Sequence, residues 1–372
     1  MNTETWEFNA LDTLFFRESR PMESVGGSEL QSSFPPPART LIGAVRTSIG
    51  EALNTDWKRY ASNPQDPLRE RIGSPESLGP LTFTGPWLAK AGQRLHAMPL
   101  AVLFNAEGQQ TRLQPAAAPR HCDLGHVCLP EKANPSLMGA APLEKAFVIR
   151  EGLLAFLEGR GVENKHIVYA HELFSHEERL GIARDNSSRV TGDGLLYQTR
   201  HIRPHADADL AIGIGVGGLD VQGIPRQGIV RLGAEGRLAN WQRKPAQAGL
   251  QPKKPVRARG LVLLLQTHAL FAAGWLPDGF SSIEREDQTL WQGQINGITL
   301  RIVCAVTGKP VREGGWDLVN HCPRALQFLV PAGSCYFCEV DGDLAQACQA
   351  LNGIKIGQDQ EYGRGELFAG YW

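Results

Sequence analysis

Near the C-terminus, Gly357, Gly363 and Gly365 enclose Arg364 in the run Gly357-Gln-Asp-Gln-Glu-Tyr-Gly-Arg-Gly365. Glycines at that density let a backbone approach a ligand closely, and their N–H groups can meet phosphate oxygens. The competing reading is a tight β-turn. Asp359, Glu361 and Glu366 argue mildly for it, because they would repel a polyanion. A second phosphate-type candidate lies in residues 237–260. They contain Arg237, Arg243, Lys244, Lys253, Lys254, Arg257 and Arg259, no acid, and little apolar periodicity. Such a run is either a solvated linker or a flexible basic arm.

Other spacings suggest metal or nucleotide chemistry, and most of them fail on geometry. His121-Cys-Asp-Leu-Gly-His-Val-Cys128 puts four possible zinc ligands in one Pro/Gly-rich loop that could fold around zinc; no second clean pair completes the set, so zinc there stays open as the minority reading. Cys335-Tyr-Phe-Cys338 has knuckle spacing inside a β-prone segment, where residues three apart point to opposite faces. His171-Glu-Leu-Phe-Ser-His176 has one residue too many for two imidazoles to share a metal on a helix. Gly213-Ile-Gly-Val-Gly-Gly218 matches a dinucleotide fingerprint, yet the residues that follow cannot form the helix such a site needs. No metal or cofactor is expected.

These candidates need elements to hold them. Residues 6–17 read as a strand. A loop with Arg17, Arg20 and a Gly pair follows, and the prolines 35–37 mark the start of a helix over residues 38–53. Leu41, Ala44, Val45, Ser48, Ile49 and Ala52 recur at helical spacing, and Arg39 and Arg46 share one flank two turns apart. Residues 54–80 read as a polar, Pro-rich loop and 105–146 as a long excursion. Short helices are expected at residues 150–157 and 343–351, with strand signals dominating beyond residue 180.

The chain has 372 residues and a net charge of −1, with 38 Lys+Arg against 39 Asp+Glu. Nucleic-acid binding through bulk positive charge is excluded, so any polyanion must be held by local patches. The N-terminus lacks a signal-peptide pattern, and the most apolar segment, residues 260–265, is too short to span a bilayer. A cytoplasmic protein with reduced cysteines is expected, with no membrane partner. Few helices among many strands predict an α+β fold with antiparallel sheets covered on one side.

Several segments together resemble a known family. They are Leu14-Phe-Phe-Arg-Glu-Ser-Arg-Pro21 and Pro35-Pro-Pro-Ala-Arg-Thr-Leu-Ile-Gly-Ala-Val-Arg46. Next come Arg179-Leu-Gly-Ile-Ala-Arg-Asp185 leading to Gly194-Leu-Leu-Tyr197, and Val230-Arg-Leu-Gly-Ala-Glu-Gly-Arg237. Leu264-Leu-Gln-Thr-His-Ala-Leu-Phe271 with Gly274-Trp275, and Gly315-Trp-Asp-Leu318 before Val330-Pro-Ala-Gly-Ser-Cys-Tyr-Phe337, complete the series. In this order, with a Gly-rich loop after the last helix, they resemble the third Cmr subunit, a member of the RAMP superfamily, of type III-B CRISPR effector complexes.

That resemblance implies two ferredoxin-like (RRM-like) domains with antiparallel sheets and long loop insertions, placed at residues 1–180 and 181–372. It implies a non-catalytic antiviral subunit that grips the repeat-derived 5′ handle of crRNA. Its partners would be the large polymerase-like Cmr subunit and neighbouring backbone RAMP subunits. On this reading Arg17, Arg20, Arg39 and Arg46 contact phosphates. Gly357, Gly363, Arg364 and Gly365 hold the handle backbone, and Lys253, Lys254, Arg257 and Arg259 form an auxiliary basic arm. The alternative is a metal-independent RAMP endoribonuclease that processes precursor crRNA and recruits His171, His176 or His201 as acid or base.

Overall fold

A computed structural model describes residues 3–18, 29–184, 187, 188, 190–317 and 320–372. The chain divides into two compact units, each assembled from three stretches. The first comprises Met1–Gln93, His171–Ala246 and Arg312–Gln327, the second Arg94–Ala170, Gln247–Val311 and Phe328–Trp372. A single break near residue 180 therefore does not describe the organisation. Local patterning does not encode which distant strands pair, and here the chain passes between the units several times.

In the first unit, β1 (Glu4–Ala10) stops short of the expected Arg17, and past its end Leu14 and Arg17 make only isolated bridges; helix α1 (Ala38–Ala52) follows, then β2 (Thr82–Lys90), β3 (Leu210–Gly217), β4 (Gln227–Arg231) and β5 (Leu238–Pro245). These strands form an antiparallel sheet in the order β4-β5-β1-β3-β2. Helix α1 begins directly after Pro37 and buries Leu41, Ala44, Val45, Ser48 and Ile49, the face expected from their spacing. Gly213 and Gly215 of the fingerprint-like run lie in β3, which is buried along its whole length, and Gly218 follows its end. A side chain at Gly213 would meet the Trp87 ring on β2, its Cβ coming within 2.2 Å of Nε1, so this glycine makes room for an aromatic neighbour.

The basic stretch from residue 237 is not one arm. Its first third is β5, where Trp241 stacks on Trp6 of β1 at 4.6 Å between ring centroids. Polar residues alternating with Ala239 and Trp241 are strand periodicity, hidden from a search for apolar runs by the cations beside them. Residues 54–80 also depart from the expected loop, because they hold two short helices, Trp57–Ser62 and Arg69–Ile72. The carboxylate of Asp56 accepts from the Lys58 and Arg59 amides and caps the first of them.

The second unit contains β6 (Leu261–Leu265), β7 (Ser281–Arg285), β8 (Gln288–Ile295), β9 (Ile298–Val306), β10 (Cys335–Val340), α2 (Leu344–Leu351) and β11 (Leu367–Tyr371). Its antiparallel sheet runs β7-β8-β9-β10-β6-β11. Every residue of β6 is buried, as expected for a strand covered on both faces. Val262 and Leu264 pack with Phe156, Leu157 and Phe368, on the side of the helix Arg150–Leu157. Leu261, Leu263 and Leu265 pack with Ala347, Cys348 and Leu351 of α2. Cys335 joins the first cluster and Cys338 the second, so their side chains point to opposite faces and cannot share a metal. Asp343 caps α2 through bonds from the Ala345 and Gln346 amides.

Candidate nucleic-acid interface

The cations of the long basic stretch have divergent fates. In the first unit, Arg243 donates to both oxygens of Glu4, at 2.7 and 3.0 Å. Lys244 pairs with the buried carboxylate of Glu7 at 2.5 Å, and Arg237 reaches Asp12 at 3.2 Å. These three cations complete sheet and loop contacts and add little outward field. Arg179 and Arg203 also converge on Asp12, and both pair with Glu177. Hydrogen bonds from these two arginines hold the Glu177 carboxyl at about 2, far below its ordinary range.

Lys253, Lys254, Arg257 and Arg259, in the second unit, are all exposed. Their backbone is not a free arm. The Lys253 amide donates to Glu158 Oε1 at 3.0 Å, and the Arg259 amide donates to the Trp372 carbonyl at 2.6 Å. Ala258 packs against the core between them. The segment is thus strung over the surface with four cationic side chains in solvent. Arg160, from a distant stretch, joins them by donating to Glu158 from Nε at 3.1 Å. Asp343, its carboxyl lowered mainly by the Gln346 and Ala345 amides and also by the nearby Lys254, partly offsets the patch. Five cations therefore face two neighbouring acids, Glu158 and Asp343. Arg160 gave no signal in the sequence, because only tertiary structure brings it to Lys253.

The terminal glycine loop departs from the expected phosphate cradle. Gly363 and Gly365 are buried, and their amides already donate to the carbonyls of Gln360 and His268, each at 3.0 Å. Thr267 Oγ1 donates to the Gly363 carbonyl at 2.9 Å. Arg364 is only 5% exposed and donates to Asp359 Oδ2 at 2.9 Å. Gly357 is half-buried against the Leu270 carbonyl. The glycines permit close packing of the chain on itself, the β-turn reading that the local acids favoured.

In the first unit, Arg17 is exposed at an isolated bridge to Ser32, and Arg39 is half-buried in the first turn of α1. Arg20 lies outside the described residues. Arg46 turns toward its own fold, its Nη2 donating to Tyr60 Oη at 3.1 Å and to the Ser74 carbonyl at 2.6 Å. The sequence pairs Arg39 with Arg46 on one flank, but residues 57–74 supply the Tyr60 and Ser74 acceptors that hold Arg46.

The histidine candidates also separate. His201 is fully buried, with Nδ1 at 3.0 Å from Thr13 Oγ1 and Nε2 at 3.1 Å from Thr199 Oγ1. His176 is exposed beside the Phe174 ring, and His171 is exposed in a short 3-10 turn. In the second unit His96 is buried against Gln266, 3.1 Å from its Oε1. Burial lowers the pKa of both His96 and His201. The charge of Arg94 adds to the effect at His96, and those of Arg179 and Arg237 at His201.

Both histidines therefore favour the neutral form in the fold, while the unfolded chain takes up protons near pH 6.5. Stability is fully present above that pH and falls as pH drops through it, by up to about 1.4 kcal/mol per pH unit for each histidine. Between pH 5 and 6.5, His201→Asn is expected to flatten the decline in midpoint measured by urea denaturation. An unchanged slope would mean that this ring titrates alike in both states. The Glu177 interactions are lost only below pH 4.5, outside that window.

Beside His96, Arg94 binds both carboxylate oxygens of Glu366, and both side chains are nearly buried. Glu366→Gln keeps the volume and removes the charge. It is expected to cost about 2 kcal/mol in chemical denaturation, the range for hydrogen bonds to charged groups. Among the described residues no three His, Cys, Asp or Glu side chains gather as metal ligands. The His121–Cys128 segment is a hairpin, with His126 bonded to the backbone carbonyl of Asp287. No helix among the described residues is long and apolar enough to cross a membrane.

A family model described as CRISPR-associated protein (Cas_Cmr3) matches residues 6–372. Among solved structures, the fold is similar to a chain in the cryo-EM structure of the Type III-B Cmr-beta bound to cognate target RNA. The identity is 14%, with 98% of this chain and 96% of the other covered, and the TM-score is 0.49. A chain of the same complex bound to cognate target RNA and AMPPnP gives 14% identity, coverage of 90% and 86%, and a TM-score of 0.49. A chain of the Csm3-Csm4 subcomplex in the type III-A CRISPR-Cas interference complex gives 9%, 91% and 94%, and 0.37. No curated protein matches the chain.

Proposed function

Because this chain belongs to the Cas_Cmr3 family of CRISPR-associated proteins, we propose that it is the non-catalytic subunit of a cytoplasmic type III-B (Cmr) effector complex that holds the 5′ handle of crRNA. Its protein partners on this reading are the large polymerase-like subunit and neighbouring RAMP subunits. The observation that carries the RNA role is the anchored segment Lys253–Arg259 with Arg160 beside it. Four exposed cations on a tethered backbone suit a short single strand in a protein of net charge −1. Arg17 and Arg39 are further phosphate contacts on the first unit. Gly357, Gly363, Arg364 and Gly365 shape the fold in this proposal, and Arg46 braces α1.

The strand orders support reading each unit as ferredoxin-like with one helix missing. In β5-β1-β3-β2 and in β11-β6-β10-β9, the first and third strands of each unit lie at the centre. The first unit keeps the helix after its first strand, and the second keeps the helix before its last. The non-catalytic assignment draws support from His201, whose two ring nitrogens are both occupied by threonine hydroxyls.

Crosslinking tests the proposal. The full chain is irradiated with crRNAs carrying 4-thiouridine either through the handle or through the spacer, and adducts are mapped by peptide mass spectrometry. Adducts within residues 253–259 or at Arg160 are expected. Adducts confined to the spacer region, or site-specific cleavage of a repeat RNA by the purified chain, would sink it.

A further inference from the structure

On the first unit, an open cavity of about 190 Å³ lies between α1 and the short helices that follow. Its walls are aromatic and cationic. Trp57 and Tyr60 meet edge to face at 5.5 Å between centroids, and Trp57 is held by a bond from Nε1 to Glu51 Oε1 at 2.6 Å. Ile72 and the Tyr60 ring are buried beneath, while Thr47 and Pro75 are exposed at the mouth. Gly43 leaves open space where any side chain would project, with nothing within 4 Å of a Cβ built there.

Arg46 lines the same cavity. Its Nη2 is saturated by Tyr60 and Ser74, whereas Nη1 has no acceptor among the described residues. Its Nε is buried without one. A guanidinium with an unused donor beside two aromatic rings suits a flat ring that carries an oxygen at its edge. The local charge indicates what bears that ring. Residues 38–76 hold Arg39, Arg46, Lys58, Arg59, Arg69 and Arg71 against Glu51, Asp56, Asp66, Glu70 and Glu76. Six cations against five acids leave one net charge, too little to draw a polyanion into the cavity itself. Several are also paired locally, as Arg59 is with Asp66 and Arg71 with Asp220.

We propose that this cavity is a docking socket for a tyrosine side chain of a partner protein, the ring entering over Gly43 and the phenol oxygen accepting from Arg46 Nη1. The socket is separate from the basic segment Lys253–Arg259 that carries the RNA role, because it lies on the first unit and needs no phosphate. Aromatic anchors of this kind supply much of the energy of small interfaces.

The test is saturation-transfer NMR on the full chain with three probes, N-acetyl-tyrosinamide, N-acetyl-phenylalaninamide and GMP. The tyrosine amide is expected to bind, with the phenylalanine amide about tenfold weaker for want of the hydroxyl. Gly43→Leu, which fills the open space with a good helix former, is expected to abolish the signal without lowering the melting temperature. Thr47→Glu places an acceptor at the mouth for Nη1 and should do the same, giving a second measurement if Gly43→Leu folds poorly. No tyrosine signal, equal binding of the two amides, stronger saturation of GMP, or a signal surviving both variants would each overturn the socket.

Discussion

Replacing Lys253, Lys254, Arg257 and Arg259 together with alanine is expected to weaken binding of a handle-containing crRNA on the order of a hundredfold at about 0.1 M salt. The slope of log affinity against log salt should become shallower by about 3, since each contact with single-stranded nucleic acid contributes about 0.7. Fluorescence anisotropy over a salt series reads both quantities. The fold should be unaffected, because all four side chains are in solvent and the anchoring bonds of the segment come from its backbone amides. A companion variant with Arg257→Lys and Arg259→Lys keeps the charge and should keep the slope. If the alanine variant binds with unchanged affinity and slope, the segment is a solvated crossing between elements and the RNA role falls with it.

Gly365→Ala is expected to lower stability by about 4 kcal/mol, toward the upper end of what one substitution does. Gly365 has φ +72°, and an added Cβ would come within 1.9 Å of the carbonyl oxygen of Ile356, whose amide donates to the Gly365 carbonyl at 3.0 Å. Left-handed strain and a backbone clash act together there. Gly353 is the control. Its φ is +77°, yet nothing lies within 4 Å of its Cβ, so Gly353→Ala should cost only about 1 kcal/mol. Urea denaturation separates the two variants. Near-equal losses would mean that the terminal loop is not packed as described and that its glycines are available to a ligand.

Local chemistry read correctly wherever neighbours in the chain decide the outcome. Prolines 35–37 and the apolar spacing from Leu41 predict α1 to within a residue at each end. Asp343 announces α2, and the β-prone Cys335–Val340 puts its two thiols on opposite faces. The candidate site was only partly legible. The cations of residues 237–260 are adjacent in sequence, but Arg237, Arg243 and Lys244 meet Asp12, Glu4 and Glu7 more than two hundred residues away. Only Lys253, Lys254, Arg257 and Arg259 are left facing solvent.

By itself the sequence determined the family, the neutral balance that restricts any RNA contact to a patch, and the elements whose periodicity is intact. Tertiary structure decided which cations stay free, that the terminal glycines turn inward, and that each unit is stitched from three separated stretches. The reason is physical. Periodicity and capping depend on residues within about one turn of one another, whereas the field at a surface is what remains after partners far apart in the chain have neutralised each other.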